Sequence, residues 1–323
     1  LDVVSDMYLN PLFDAKEIEK EKGVIIEELR MYRDLPQRHV HDILSALMHG
    51  DQPAGWDVIG TEDTIRSFNR DSFVTYRNAH YVSSATAVMI AGSFDEKSGA
   101  TTVEKAFSGL SSSKKSPKLK VTEDQKEPAL RVESKETDQT HMVIAFRTFP
   151  IADPRIPVMQ VMSTILGGGM SSRLFSKMRD ELGICYYIRA SHGPSTDHGD
   201  LTISAGVDNS RVDVAIREIL ASCTRLKDEL VPDAELKKAK DYIAGTSMLE
   251  LETSEARAEF AGIEEILKGG IESPEEHIER INKVTADQIR GLARQIFVNE
   301  GLNLALIGRS KVETLAPILR FNA

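Results

Sequence analysis

The order of elements along the chain predicts an α+β protein of two duplicated halves, each a layer of helices packed on a mostly antiparallel sheet. The first half is expected to be incomplete at its N-terminus. Strands follow strands and helices stack after them, which is the α+β pattern and not the one-for-one alternation of a doubly wound sheet. An internal repeat supplies the second observation: residues 65–92 lie on residues 281–308 without a gap, at an offset of 216. Length agrees, since 323 residues give two cores of ordinary size, and 41% hydrophobic with 28% charged residues is the composition of a globular protein.

Residues 1–13 open in a helix, with Leu1, Val4, Met7 and Tyr8 at helical spacing until Asn10-Pro11 breaks it. Asp14 caps a long acidic helix that runs to about Arg33 and stops before Asp34-Leu35-Pro36. Helices are expected near 37–49, 61–68, 71–78 and 96–107, and a covered strand over 85–92, where the apolar run is nearly continuous. Ser111-Ser112-Ser113-Lys114-Lys115-Ser116-Pro117 marks a polar linker, so the division is 1–110 for the first half, 111–127 for the linker and 128–323 for the second half. Strands are expected at 129–135, 141–149, 186–191 and 199–207. Helices are expected at 156–166, 172–181, 210–226, 233–251 and 254–268.

On the acidic helix, Glu21 and Glu28 stand seven residues apart and return to nearly the same face, beside an apolar stripe of Ile18, Val24, Ile25 and Leu29. Carboxylates there are expected to have perturbed protonation or a cationic partner. The alternative is a solvated acidic face with Glu/Lys pairs. The repeat bears on the choice. With the helices shifted by 218, Ile18 meets Leu236, but Glu21 falls opposite Ala239 and Glu28 opposite Thr246. The apolar frame is duplicated and the two acids are not. By the same offset the first copy should begin about 90 residues before Leu1.

A net charge of −10 argues against a nucleic-acid partner, because no basic surplus displaces counterions from phosphates. Cys185 and Cys223 are too few for a disulfide framework or a structural zinc site, which points to a reducing, cytoplasmic setting. No run approaches the roughly 18 apolar residues of a membrane span.

Four stretches carry a resemblance. They are Glu19-Lys20-Glu21-Lys22-Gly23-Val24-Ile25-Ile26-Glu27-Glu28, Gly50-Asp51-Gln52-Pro53 through Gly60-Thr61, Gly167-Gly168-Gly169-Met170-Ser171-Ser172-Arg173-Leu174-Phe175, and Arg179-Asp180-Glu181-Leu182-Gly183-Ile184-Cys185-Tyr186. In these the chain resembles the pitrilysin/insulinase family of zinc metallopeptidases, the family of the mitochondrial processing peptidase, over essentially its whole length. The resemblance implies an inverted His-x-x-Glu-His zinc motif on the first helix of the catalytic half and a third ligand, Glu, about 75 residues later. Glu28 matches that ligand and Glu21 an acid that supports the site. The motif itself is expected roughly 50 residues before Leu1, and none of the eight histidines rebuilds it. His39-Val40-His41 is the only close pair, and its rings point apart on a helix.

A catalytic zinc needs three protein ligands and an open position for water, so a lone Glu28 leaves this chain inactive alone. The resemblance also implies that Arg179 and Tyr186 reach the substrate from the non-catalytic half, hydrogen-bonding the peptide and its developing oxyanion. The alternative pairs Arg179 with Asp180 or Glu181 and places Tyr186 in a core strand. The expected function is that of a zinc metalloendopeptidase-like protein, cutting peptides in a clamshell chamber and acting as a homodimer or with a paralogous subunit. The competing reading is a non-catalytic peptide-binding or structural subunit of the same fold.

Overall fold

The structure, a computed structural model, describes residues 1–321. Its elements are mixed, as expected, and the chain groups into two compact units. The smaller is built from Leu1–Met31, Val58–Leu119 and Glu250–Ile271, the larger from Tyr32–Asp57, Lys120–Leu249 and Glu272–Ala323. This grouping follows packing and not the division at 111–127. The helix that contains Glu21 and Glu28 runs through the boundary between Met31 and Tyr32.

The larger unit is organised on one five-stranded sheet. Its strands are β1 (Ala129–Ser134), β2 (Thr140–Arg147), β3 (Cys185–Pro194), β4 (Gly199–Val207) and β5 (Leu302–Gly308), in the order β1-β5-β2-β4-β3. All pairings are antiparallel except β1 with β5. Alternation along β2 sends Met142, Ile144 and Phe146 to a large core and Val143 and Ala145 to a smaller one on the opposite face. The large core is closed by helices α7 (Ile156–Gly167), α8 (Arg173–Phe175), α9 (Val212–Asp228), α10 (Asp233–Glu250), α12 (Pro274–Asn282) and α13 (Ala286–Ile296). The smaller one is closed by Val40, Ile43, Leu44 and Met48 of α3 (Pro36–His49). A strand covered on both faces reads as an unbroken apolar run, as residues 142–146 of β2 do. Gly167 ends α7 where a Cβ would meet the Ala190 backbone nitrogen at 2.4 Å, so glycine lets that helix lie close on β3.

The smaller unit holds α1 (Asp2–Leu9), the first part of α2 (Ala15–Asp34), α4 (Glu62–Ser67), α5 (Arg70–His80), α6 (Glu96–Ala106) and α11 (Ser254–Lys268). Its core is small: Ile26, Leu29 and Ile65, with Ile25 and Ile59 against them. Arg77 of α5 donates to the Tyr8 and Leu9 carbonyls at 3.1 and 2.5 Å, satisfying two of the acceptors that the end of α1 leaves open.

Two expectations are corrected. Residues 85–92 do not form a strand: Ser83–Ala85 is a 3-10 turn and the stretch beyond it is at most half-buried. Thr86 is extended, at φ −127° and ψ 127°, but no described strand offers a ladder, and an apolar run without a hydrogen-bonding neighbour is not a strand. The helix expected over 172–181 is one α-turn, Arg173–Phe175, followed by a π-helical turn, Ser176–Glu181.

Candidate functional site

Glu21 and Glu28 both lie on α2, whose start is capped by Asp14 Oδ1 accepting from the amides of Lys16 and Glu17 at 2.8 and 3.2 Å. They flank the buried stripe of Ile26 and Leu29 and face solvent. Of the helix's other acids, Glu17 pairs with Lys20, Glu19 with Lys22 and Glu27 with Arg30, at 2.6, 2.6 and 2.8 Å, and Asp34 at its end lies 3.7 Å from Lys135 Nζ. Glu21 and Glu28 have no hydrogen-bond or ion-pair partner among the described residues. The expected cationic partner is therefore not there, and the solvated face with local Glu/Lys pairs accounts for Glu17, Glu19 and Glu27 only. Glu21 also lines an apolar recess of about 610 Å³ with Ile18, Ile25, Ile65, Phe68 and Phe73.

Among the described residues no three His, Cys, Asp or Glu side chains converge to hold a metal ion. A catalytic zinc takes three protein ligands, so the described residues do not by themselves fit the metal.

Arg179 and Tyr186 belong to the other compact unit, and the structure brings them together. Arg179 Nη1 donates to the Tyr186 carbonyl at 2.5 Å, and its guanidinium lies 5.2 Å from the Phe175 ring centre. It sits on the π-helical turn, where the extra residue re-aims side chains relative to an α-helix. Glu181 is paired with Lys177 at 2.7 Å, not with Arg179. The β3–β4 register slips between Cys185 and Tyr187, and this bulge turns Tyr186 out to 70% exposure. Tyr187 points the other way, its hydroxyl 3.0 Å from His141 Nδ1. Burial pushes the Tyr187 phenol up to about 12 and lowers His141 below the usual imidazole range. Tyr186 is thus an exposed residue at an edge strand and does not begin the core.

Close to the glycine run, Gly169, Met170, Ser171, Ser172, Lys238 and Tyr242 line a cavity of about 370 Å³. Cys185 and Cys223 are buried and unbridged, and desolvation raises both thiols, Cys185 to about 11. No described helix is long and apolar enough to cross a membrane. Of the histidines, His277 bonds Gln160 at 2.9 Å and His39 approaches Asp42 and Glu133 at 3.4 Å. The exception to this scattered pattern is His49, whose ring lies edge-on to His198 with centres 4.8 Å apart. Nothing in the one-dimensional spacing announced that pair, which only the packing of α3 against the β3–β4 turn creates.

Comparison with known proteins gives the geometry its context. The family model described as the peptidase M16 inactive domain matches residues 67–243, and that of the insulinases, peptidase family M16, matches residues 1–62. An uncharacterized zinc protease of Bacillus subtilis is 34% identical over 310 residues, covering 96% of this chain and 75% of the relative. One from Streptomyces coelicolor is 30% identical, over 96% and 69%. Among solved structures, a protease from Helicobacter pylori superposes with a TM-score of 0.88 at 18% identity, over 95% and 75% of the two chains. A chain of complex III2 from Candida albicans gives 0.85 at 15%, over 99% and 79%; at such identities the likeness is one of fold. Two family models laid end to end and a relative a third identical agree: the chain belongs to peptidase family M16, the insulinase family.

Proposed function

We propose that this chain is the greater part of a zinc endopeptidase subunit that encloses peptides or unfolded segments in a clamshell chamber, as a homodimer or with a paralogous partner, in the cytoplasm. The observation that supports this reading most is the pattern on α2: of its acids matched above, Glu21 and Glu28 alone are left without partners by the fold. Glu28 would be the anionic zinc ligand and Glu21 its supporting acid. The histidine ligands and the general base are not among these 323 residues, so the chain alone is inactive. Arg179 and Tyr186 would hold the peptide backbone.

Metal analysis of a longer form that carries the histidine motif tests the assignment. About one zinc per chain is expected, falling sharply in Glu28→Gln; unchanged zinc content removes Glu28 from the ligand set. In the same form, Arg179→Ala and Tyr186→Phe should reduce peptide turnover and leave zinc content alone. Full activity in both assigns the two residues to structure.

A second reading, a non-catalytic peptide-binding or structural subunit, is favoured by the match of residues 67–243 to the inactive-domain model. It predicts a longer form without bound zinc and without hydrolysis.

A further inference from the structure

Residues 120–127 carry the chain into the larger unit without helix or strand, yet Val121, Thr122, Glu123 and Gln125 are each fastened to it. The Val121 amide donates to Asp197 Oδ2 at 3.1 Å. Thr122 exchanges two hydrogen bonds with the Gln52 amide group, at 2.9 and 3.0 Å. Glu123 accepts from Arg147 Nη1 at 2.6 Å, and Gln125 accepts from Arg147 Nε and donates to the Leu302 carbonyl, both at 2.9 Å. The partners of the first three residues are also tied to one pair of histidines or to its helix end. Gln52 Nε2 donates to the His49 carbonyl at 2.5 Å, Asp197 Oδ1 lies 2.9 Å from His198 Nδ1, and Arg147 Nη2 donates to the Met48 carbonyl.

His49 ends α3, is 8% exposed, and its Nδ1 is buried with no hydrogen-bond partner. The His198 ring lies edge-on to it at 4.8 Å.

We propose that His49, packed against His198, is an acid-opened latch on residues 120–127: with His49 uncharged this strap lies closed, and protonation of His49 unfastens it. A charged His49 would hold an N–H with no acceptor, out of water, beside a second imidazole and a guanidinium. Relief comes from moving the end of α3, and Gln52, three residues on, moves with it. The groups that act on His49 come from each element packed round it: His198 and Asp197 from the β3–β4 turn, Arg147 from the end of β2, and Glu123 from the strap. Burial is the largest influence, and with His198 and Arg147 it outweighs the two acids, lowering His49 to about 4.

The sign follows from linkage. The closed form binds a proton on His49 less readily than an opened one, whose imidazole has the ordinary value of 6.5. Closure is therefore fully favoured above that value and weakens as pH falls from it toward about 4. Asp200, facing His198, is raised by burial to about 6, so its own proton uptake below that value favours the closed form and opposes the latch.

Hydrogen exchange of residues 120–127, at pH 7.5 and pH 5.0 and corrected for the intrinsic chemical rate, tests the latch. Protection of the Val121 and Thr122 amides should fall by about tenfold or more at the lower pH. His49→Gln should flatten that profile, with Asp200→Asn as the variant in which the opposing proton is removed and the fall steepens. Gln52→Ala should exchange fast at both pH values. Circular dichroism establishes that each variant is folded. Equal protection at both pH values, a wild-type profile in His49→Gln, or a protected strap in Gln52→Ala would each overturn the proposal.

Discussion

Residues 65–92 and 281–308 start from one pattern and end in different structures. Both contain a capped helix. Asn69 with Ser72 forms a capping box at the start of α5, and Thr285 with Gln288 forms one at the matching place on α13. Both helices lead into a 3-10 turn at the same offset, Ser83–Ala85 and Asn299–Gly301. Beyond it, residues 302–308 become β5, bonded on one side to β1 and on the other to β2 and buried throughout, while residues 86–92 pair with no described strand. Phe297 is fully buried against Phe146, whereas its counterpart Tyr81 is 41% exposed beside Tyr8. The difference teaches that the local rules were obeyed twice and the sheet was made once. Caps and turns are written in a few neighbouring residues; a strand needs a partner from elsewhere.

Paired substitutions put this to the test. The largest expected contrast is Leu304→Asp against Val88→Asp, the same position in the two copies. In β5 a carboxylate would be buried without a partner among fully covered side chains, costing about 4 kcal/mol or more. At the half-buried Val88 the cost should stay below about 1 kcal/mol. Chemical denaturation measures both, and equal losses would mean that residues 86–92 are as tightly held as β5.

Next, Phe297→Ala should cost about 3–5 kcal/mol, because it opens a cavity in the closed core. Tyr81→Ala loses only one face of a tilted ring contact at 5.2 Å, about 1 kcal/mol. The two caps should behave alike, with Thr285→Ala and Asn69→Ala each costing about 1 kcal/mol; a large inequality would show that tertiary packing enters even at the cap. The smallest effect is expected on α2. Glu21→Gln and Glu28→Gln should leave the denaturation midpoint where it is, since neither carboxylate has a partner to lose. A marked shift in either would return that acid to the scaffold.

Much of the fold was legible because it rests on short-range signals. Apolar-rich runs gave four of the five strands, and the second copy of the repeat, residues 281–308, contained the fifth. Helices near 156–166, 233–251 and 254–268 follow from their apolar spacing and their flanking Gly, Asp and Ser. The pairing of acids on α2 follows the same kind of signal. Glu17, Glu19 and Glu27 each have a Lys or Arg three residues on and pair with it, whereas no basic residue stands three or four positions from Glu21 or Glu28. Arg179 and Tyr186 came from the family resemblance, but their contact depends on a π-helical turn and a bulge, each an extra residue with no sequence mark of its own.

The sequence by itself determined the family, the duplicated frame, the capped helices and the two acids that the second copy lacks. Each of these is a property of residue type at a fixed interval along the chain. Tertiary structure decided which copy of an apolar run became a strand, which way Tyr186 faces and that His49 meets His198. Those outcomes belong to hydrogen-bond partners and ring neighbours supplied by segments tens to hundreds of residues away, and no local pattern carries their identity.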